Sequence, residues 1–399
     1  MATPLTLPEQ HTETRPTAAA NCTSDLQHAA NLLPRFIKAE ANLLRLPLFA
    51  LGTKGLRTLD AIECRGMIRR NGETHQFTFQ AARNAKTQYP GPLSRAAHQA
   101  FLSIATDRGF PIENPIAWSW RDLCRRMAVP PSGREVRQIK AAITATAGLL
   151  IRSHFALYSK ADRQPIRTSE DALHLYDRVT FVGSPLPDGT IADANYLWLS
   201  QWYLQNLNAM FTAPLDYDLW RFLDKRSPIA SRLYEWLLLN FYSGTPQLRI
   251  NYESLAQFLP VRPEPYLSLA KKQLDPALQL LATVDAVTTA TFVPSKSGIA
   301  AVLIERGKNL TPPFKRPPLA LEMSHGRFTD DIQVRELRHT TRAEHQLVTE
   351  FYRAWTGSEQ KPTAKEFSLA KQLIDEHGQA RAKVIIHEVV KLLIRQRTL

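Results

Sequence analysis

The sequence has few cysteines and no long apolar run. Cys22, Cys64 and Cys124 are the only three in 399 residues, too widely spaced for a metal-binding pair and too few for a disulfide framework. A reducing cytoplasm fits this composition. Residues 1–15 lack the basic-then-apolar order of a secretory signal, and no stretch of about 18 apolar residues predicts a membrane span. We therefore expect a cytoplasmic protein without a membrane partner.

Acidic residues are also scarce relative to basic ones. The chain has 50 Lys and Arg against 37 Asp and Glu, a net charge of +13. Most of this excess lies in residues 44–210, where 21 basic and 13 acidic residues leave a net charge of +8. The balance favours a polyanionic partner, with nucleic acid as the first candidate. An interaction scaffold with incidental positive charge is the alternative.

Composition divides the chain into five segments. Residues 1–43 predict a flexible N-terminal arm, because Thr, Pro, Ala and Gln occur there without a sustained period. A Pro-rich linker is predicted at 311–327, since four prolines within 311–318 exclude a helix interior or central strand. The remaining segments are two mixed domains, 44–210 and 211–310, and a C-terminal helical domain, 328–399.

The first mixed domain has a specific order of elements. The patterns predict a hairpin around Asn71-Gly72, helices at 92–108, 120–127 and 134–150, and strands at 150–159 and 173–182. Ser119 is a good N-cap for the second helix. The polar loop between the last two strands would form a wing. This order is typical of a winged helix-turn-helix, whose last helix enters the major groove of DNA.

The third predicted helix has an outward face suited to that role. Arginine and glutamine can bond base edges, and small residues let a helix sit deep in the groove. The outward residues are predicted to be Arg134, Arg137, Gln138, Lys140, Ala141, Ala142 and Ala145, with phosphate contacts from Arg121, Arg125 and Arg126 and loop contacts from Lys160 and Arg163. An ordinary amphipathic helix pair with solvated arginines is the alternative.

The same order recurs in residues 211–310. The patterns predict helices at 218–223, 227–241, 252–258 and 264–283, and strands at 248–250, 286–293 and 299–306, the last two flanking a wing tip at 294–298. Leu267, Ala270, Leu274, Leu278 and Leu281 are expected to be buried, and Pro276 to bend the last helix. The predicted DNA-contacting residues are Arg262, Ser268, Lys271, Lys272 and Lys296.

The C-terminal segment predicts a small helical domain. Helices are expected at 342–356, 363–377 and 379–397, with an apolar stripe of Val384, Ile385, Val389, Leu392 and Leu393. It would bind a protein partner or support self-association. The fold class expected for the whole chain is therefore α+β, with two tandem winged helix-turn-helix domains and this helical domain.

Three segments carry a resemblance to a known family. They are Arg226-Ser227-Pro228-Ile229-Ala230-Ser231-Arg232-Leu233-Tyr234-Glu235-Trp236-Leu237, Lys271 to Leu278 and Trp120 to Cys124. Together they resemble the iteron-binding plasmid replication initiators of the TrfA type. The first segment resembles the family's Leu-Ser-Pro-x-Ala-Arg-Arg helix, the second its basic, Pro-containing recognition helix, and the third the first helix of its N-terminal helix-turn-helix. The resemblance spans roughly residues 45–306 and depends on the order and spacing of the motifs.

The resemblance implies a function and a set of partners. Such a protein binds direct repeats in duplex DNA at a bacterial plasmid origin, promotes melting and recruits the host replication initiator and helicase. A sliding clamp is a further possible partner, and an equilibrium between monomer and homodimer belongs to the copy control of such plasmids. A winged-helix transcriptional repressor is the alternative function.

No enzyme motif accompanies these features. A nicking initiator needs a His-x-His metal site, and an ATPase needs Gly-x-x-x-x-Gly-Lys-Ser/Thr; neither occurs. Asp216-Tyr217-Asp218 is interpreted as a helix cap rather than a metal site. We expect no catalytic residue, no metal and no cofactor.

One short motif leaves two interpretations open. Leu46-Pro47-Leu48-Phe49 is similar to a sliding-clamp peptide but has Arg45 where the leading glutamine belongs. Apolar packing against the first domain is the preferred interpretation.

Overall fold

In the computed structural model of the chain, the described residues are 35–70, 72–168, 172–186, 188–241, 245–295, 298–310, 327–328, 333–338, 342–356 and 364–397. They form a mixed α+β structure. Those up to Glu336, apart from 57–60, belong to one compact unit, and residues 57–60 with the chain from Leu337 onward belong to a second. Residues 1–34 of the expected arm and residues 311–326 of the expected linker lie outside the described residues.

The helices and strands are numbered in chain order. The helices are α1 Ala41–Arg45, α2 Pro92–Arg108, α3 Trp120–Met127, α4 Gly133–Ala147, α5 Gln201–Asn208, α6 Tyr217–Arg226, α7 Pro228–Asn240, α8 Tyr252–Phe258, α9 Leu267–Thr283, α10 Arg342–Thr356, α11 Ala364–His377 and α12 Gln379–Arg397. The strands are β1 Phe36–Glu40, β2 Leu59–Arg70, β3 Glu73–Ala82, β4 Ile116–Trp118, β5 Leu150–Ser159, β6 Gln164–Arg167, β7 Tyr176–Thr180, β8 Asn195–Leu199, β9 Thr212–Asp216, β10 Gln247–Asn251, β11 Val287–Val293, β12 Ala301–Arg306, β13 Arg327–Phe328 and β14 Gln333–Arg338.

Six elements of the first unit have the order helix, strand, helix, helix, strand, strand, with one hairpin inserted before the last two strands. We call α2, β4, α3, α4, β7 and β8 the first module. Its three strands form an antiparallel sheet in the order β4–β8–β7, so the last strand lies between the other two. Local signals start its helices: Pro92 is the first residue of α2, and Ser119 and Ser132 cap α3 and α4.

A hairpin is inserted between α4 and β7. Strands β5 and β6 pair with each other and β5 pairs with β3, so that β2, β3, β5 and β6 share one antiparallel sheet, the hairpin sheet. Gly72 turns the chain between β2 and β3 with a φ of +86°, as the Asn-Gly pair predicts. The expected wing between β5 and the next strand is wrong. That strand, β7, pairs with β8, and an isolated bridge links Ile151 of β5 to Leu173 in the segment before β7.

The second module repeats the order of the first. It consists of α7, β10, α8, α9, β11 and β12, and its sheet order β10–β12–β11 again places the last strand in the middle. The hydroxyl of Ser227 accepts the backbone N–H of Ala230 at 3.2 Å, and Pro228 is the first residue of α7. Helix α9 begins at Leu267 rather than at residue 264, and Leu267, expected in the core, is 39% exposed.

Strands β1 and β9 are far apart in sequence and pair with each other. In the antiparallel pair β1–β9, Phe36 lies opposite Asp216 and Glu40 opposite Thr212. The expectation that a flexible arm extends to residue 43 is therefore wrong for residues 36–43. The physical reason is burial, since Ile37 and Ala39 are almost completely enclosed.

The segment that follows α1 packs into the fold. Leu46 and Leu48 are buried, and Phe49 is 8% exposed. The segment is thus not presented as a clamp-binding peptide, and the preferred packing interpretation agrees with the structure.

The second unit contains α10, α11 and α12, which lie where the sequence predicts them. Leu347 and Val348 pack with Ala370 and Ala382 to form its core. Two residues of the apolar stripe predicted on α12 are not buried: Val384 is 61% exposed and Val389 is 42% exposed.

Candidate nucleic-acid interface

Helix α4 presents a cationic surface. The hydroxyl of Ser132 accepts the backbone N–H of Glu135 at 3.2 Å, which fixes the start of the helix, and Ile139 and Ile143 anchor its inner face. The predicted contact residues Arg134, Arg137, Gln138 and Lys140 are all exposed. Successive steps of three and four residues along a helix share a face, so Arg134, Arg137, Ala141 and Thr144 form one exposed ridge.

Two of the three alanines expected on this ridge are buried instead. Ala142 is 3% and Ala145 1% exposed, and the carbonyl of Ala142 accepts a hydrogen bond from the Ser94 hydroxyl of α2 at 3.0 Å. Their small size lets α4 approach α2 closely. Of the predicted small residues, only Ala141 is exposed on the outer surface.

The three arginines of α3 fall into two groups. Arg121 and Arg125 are exposed, and Arg125 pairs with Asp122 at 2.5 Å. Arg126 is 3% exposed, and its guanidinium donates to Asp107 at 2.8 Å and to the Ser103 hydroxyl at 2.8 Å. Its predicted role as a phosphate contact is therefore wrong, because its charge is used to hold α3 on α2.

Asp122 pairs with both the exposed Arg125 and the buried Arg126 of α3. Partial burial acts to raise its pKa, but hydrogen bonds from Arg125 and Arg126 hold the pKa below its ordinary value. The carboxylate is therefore ionised at neutral pH, and it compensates the buried guanidinium of Arg126 at 3.1 Å.

Lys160 and Arg163 lie in the β5–β6 turn of the hairpin sheet, not between the last two strands of the first module. The backbone N–H of Lys160 donates to Asn206 at 2.9 Å, and Arg163 is exposed. The loop between β7 and β8, residues 181–194, has Asp188 and Asp193 but neither lysine nor arginine. The residue types of the strands do not predict that β7 pairs with β8, and so they do not predict which loop joins the paired strands.

The predicted contact residues of the second module that are described lie at its surface. Ser268, Lys271 and Lys272 are exposed on α9, and Arg262 is exposed in the preceding loop. The carbonyl of Arg262 accepts a hydrogen bond from Gln273 at 2.9 Å, which ties this loop to α9. Lys296 lies outside the described residues.

The Arg226–Leu237 motif is buried from Ala230 onward, while Arg226 at its start is exposed. Glu235 is 3% exposed and accepts from Trp220 at 2.7 Å, while Arg95 of the first module lies 3.0 Å away. Arg232 lies 3.1 Å from the same carboxylate and donates to the Leu44 carbonyl at 3.0 Å. We call Arg95, Arg232 and Glu235 the buried triad. It joins α2 of the first module to α7 of the second.

Asp224 extends this junction. Arg95 also pairs with Asp224 at 3.0 Å and donates to the Ser231 hydroxyl at 3.0 Å. Two buried arginines are thus balanced by two carboxylates. Sequence reasoning missed this role, since a charged motif on a helix gives no sign of which residue from another helix will pair with it.

Asp216 caps α6, as expected for the Asp216-Tyr217-Asp218 motif. Its carboxylate accepts the backbone N–H of Leu219 at 3.1 Å, and Asp218 pairs with Arg221. Across the part of the chain that the structure describes, no three His, Cys, Asp or Glu side chains gather as a metal site would require. No helix among the described residues has the length and apolar character to span a bilayer.

Comparison with known proteins gives limited similarity. No family model matches the chain, and no curated protein matches it. A crystal structure of a selenomethionine derivative of domains 2 and 3 of RctB is similar with a TM-score of 0.44 and 14% identity, over 67% of this chain and 98% of that one. A second structure of RctB domains 2–3 gives a TM-score of 0.42 and 11% identity, over 66% and 96%.

Proposed function

We propose that the chain binds duplex DNA sequence-specifically through two tandem winged helix-turn-helix domains. The observation that carries the proposal is the repeated order of helix, strand, helix, helix, strand, strand, with the last strand central in both sheets. In that arrangement the third helix enters the major groove. In the first module this helix is α4, whose exposed ridge is cationic.

The two modules are proposed to make different kinds of contact with DNA. Arg134, Arg137 and Gln138 of α4 can make the paired hydrogen bonds that distinguish guanine and adenine, so α4 is proposed to read sequence. Lys271 and Lys272 of α9 offer point charges without a planar fork, so α9 is proposed to position the protein on phosphates.

The proposed biological role is non-enzymatic initiation of plasmid replication at directly repeated sites. The support is the sequence resemblance of the Arg226–Leu237 and Lys271–Leu278 motifs to plasmid initiators. Melting of the origin, recruitment of the host replication initiator and helicase, and a monomer–dimer equilibrium are parts of this proposal. A sliding clamp, if recruited, would need a surface other than the buried Leu46–Phe49 segment.

DNA binding is tested with duplexes selected from a random pool. Arg137→Ala should lose roughly 1–3 kcal/mol, about 5- to 150-fold, on the selected duplex and much less on random DNA. Lys308→Ala is the matched control, because Lys308 is 92% exposed and lies outside both third helices. Equal losses on both DNAs would place Arg137 on the backbone, and no selected sequence at all would contradict specific binding.

The contribution of α9 needs a separate variant. Lys271→Ala with Lys272→Ala should weaken all duplexes alike and flatten the dependence of log K on log salt by about one or two units. An unchanged slope would mean that α9 does not contact DNA.

Initiation is separated from repression by a replication assay. A DNA fragment carrying this gene and its neighbouring repeats should be maintained in a host that cannot otherwise replicate it. Failure to replicate, together with specific binding to a palindrome in a promoter, would favour the repressor.

A further inference from the structure

The hairpin sheet has an open hollow on its outer face. The hollow has a volume of about 340 Å³, and its lining includes Arg65, Thr78, Arg152, His154 and Thr168. Strand register brings them together across three strands: Arg65 lies opposite Thr78, and Arg152 follows one strand further. Side chains at paired positions of neighbouring strands lie about 5 Å apart. Two guanidinium groups, an imidazole and two hydroxyls therefore share this surface.

These groups are donors suited to phosphate oxygens. Among the described residues that line the hollow, Glu63 is the one carboxylate. It accepts from Gln80 at 2.8 Å and from Arg65 at 3.2 Å, so it holds the two donors in place rather than acting as an isolated negative charge. The Arg65 side chain remains 60% exposed. Planar guanidinium groups bind phosphate in paired fashion, which favours an anion over a cation here.

An irregularity in the pairing of β3 with β5 lies beside the hollow. Pairing with β3 shifts between Phe79 and Thr78, where Phe155 adopts a φ of +60°. This region is rare for a bulky residue and strains the backbone. The ring is fixed by stacking on His75 at 4.9 Å and by the Arg167 guanidinium at 4.1 Å. Bulges of this kind re-aim neighbouring side chains, and the neighbour here is His154.

The hollow lies close in the chain to the proposed reading helix. Strand β5 begins at Leu150, directly after the short link that follows the end of α4 at Ala147. Five residues of extended chain span at most about 17 Å, so Arg152 lies within that distance of the helix end. The hairpin sheet therefore begins near the C-terminal end of α4.

We propose that this hollow binds backbone phosphates of DNA beyond the base pairs read by α4. The inference rests on the proposed DNA-binding function and extends its interface from the helix to the sheet. Arg65 and Arg152 supply the charge, Thr78 donates from its hydroxyl, and His154 lies at the rim, while the Thr168 hydroxyl is held by the backbone of Ser153.

The test compares two duplexes: the footprinted minimal site and the same site extended by ten base pairs on each side. Arg65→Ala with Arg152→Ala should bind the extended duplex roughly tenfold more weakly, with a salt slope flatter by about two units. Its affinity for the minimal duplex should match the parent protein. Lys225→Ala with Lys308→Ala is the control, since it removes the same charge from exposed positions outside the hairpin sheet. Arg65→Lys with Arg152→Lys should recover most of the salt slope.

Each outcome decides between the possibilities. A double alanine variant equal to the control on the extended duplex overturns the inference, as does an equal loss on both duplexes, which would assign the arginines to the core site. Calorimetric binding of inorganic phosphate or ATP that the variant loses, without any change on the extended duplex, would assign the hollow to a free phosphate ligand. A parent protein that binds neither duplex would instead refute the proposed function itself.

Discussion

Replacing Glu235 with glutamine tests the junction between the two modules. Burial acts to raise the pKa of this carboxyl, but Arg95 and Arg232 hold the pKa below its ordinary value, so the group is ionised. Glutamine keeps the shape of the side chain and removes the charge. Arg95, 2% exposed, would then keep Asp224 at 3.0 Å, while Arg232, 4% exposed, would lose the carboxylate that lies 3.1 Å from it.

The expected loss is large because the charges are buried. Removing one partner of a buried ion pair costs about 3–5 kcal/mol, since the remaining charge is left without compensation. For a unit of this size the urea dependence is roughly 3 kcal/mol per molar, so the unfolding midpoint should fall by about 1–1.7 M. Trp220 donates to the Glu235 carboxylate, so one of the seven tryptophans of the chain lies at this junction, and tryptophan fluorescence follows the unfolding.

An exposed pair serves as the control. Asp285 and Lys308 lie 4.0 Å apart with side chains 49% and 92% exposed, so Asp285→Asn should change the free energy of unfolding by less than about 0.5 kcal/mol. Asn also tolerates the left-handed backbone of residue 285. A Glu235→Gln loss below about 1 kcal/mol would refute the argument that the triad stabilises the junction.

Three further predictions follow from individual residues. Arg126→Ala should destabilise the fold by about 2–4 kcal/mol in urea unfolding, because it leaves Asp107 and Asp122 without their buried partner; an effect on DNA affinity alone would contradict this. Gly298→Ala should cost at least about 1 kcal/mol, because φ is +78° and an added Cβ would lie against the Glu253 carboxylate; an unchanged midpoint would contradict this. Burial raises the pKa of Glu40 to about 7, so the folded state binds its proton more tightly and this group lowers stability as pH rises from about 4.5 to 7. Urea titrations across that range should show the fall disappearing in Glu40→Gln, and an unchanged pH profile would contradict it.

Local signals in the sequence predicted most elements correctly. Serine caps at residues 119 and 227, proline at the first turn of α2 and α7, and the Asn-Gly turn each act within a few residues. The helix bounds of both modules therefore agree with the structure to within about three residues.

Errors arose where the answer depends on distant parts of the chain. The partner of β1 is β9, far along the sequence, and nothing within residues 36–43 predicts it. The residue pattern predicts β7 as a strand, but β7 pairs with β8, which follows it, rather than with the predicted strand that precedes it.

The candidate site was predicted less completely than the fold. Exposure of Arg134, Arg137 and Gln138 follows from helical periodicity. Arg126 directly follows the exposed Arg125 on α3, but its guanidinium is buried because it binds Asp107 and Ser103 of α2. The donors of the hairpin-sheet hollow were missed because Arg65, Arg152 and His154 are ordinary exposed strand residues, and the strand register brings them together.

The buried triad has a mechanical consequence for any DNA that both modules hold. Each added base pair lengthens a duplex by about 3.4 Å, and one turn takes 10–10.5 base pairs. A protein with a hinge between its modules would absorb a mismatch in spacing by rotating one module. Here Arg95, Arg232 and Glu235 fix α2 against α7, so the mismatch passes to the duplex as twist or bend. DNA deformation costs of order 1–6 kcal/mol and depends on the flexibility of the steps being strained. Base pairs that the protein never touches would then contribute to selectivity through their stiffness.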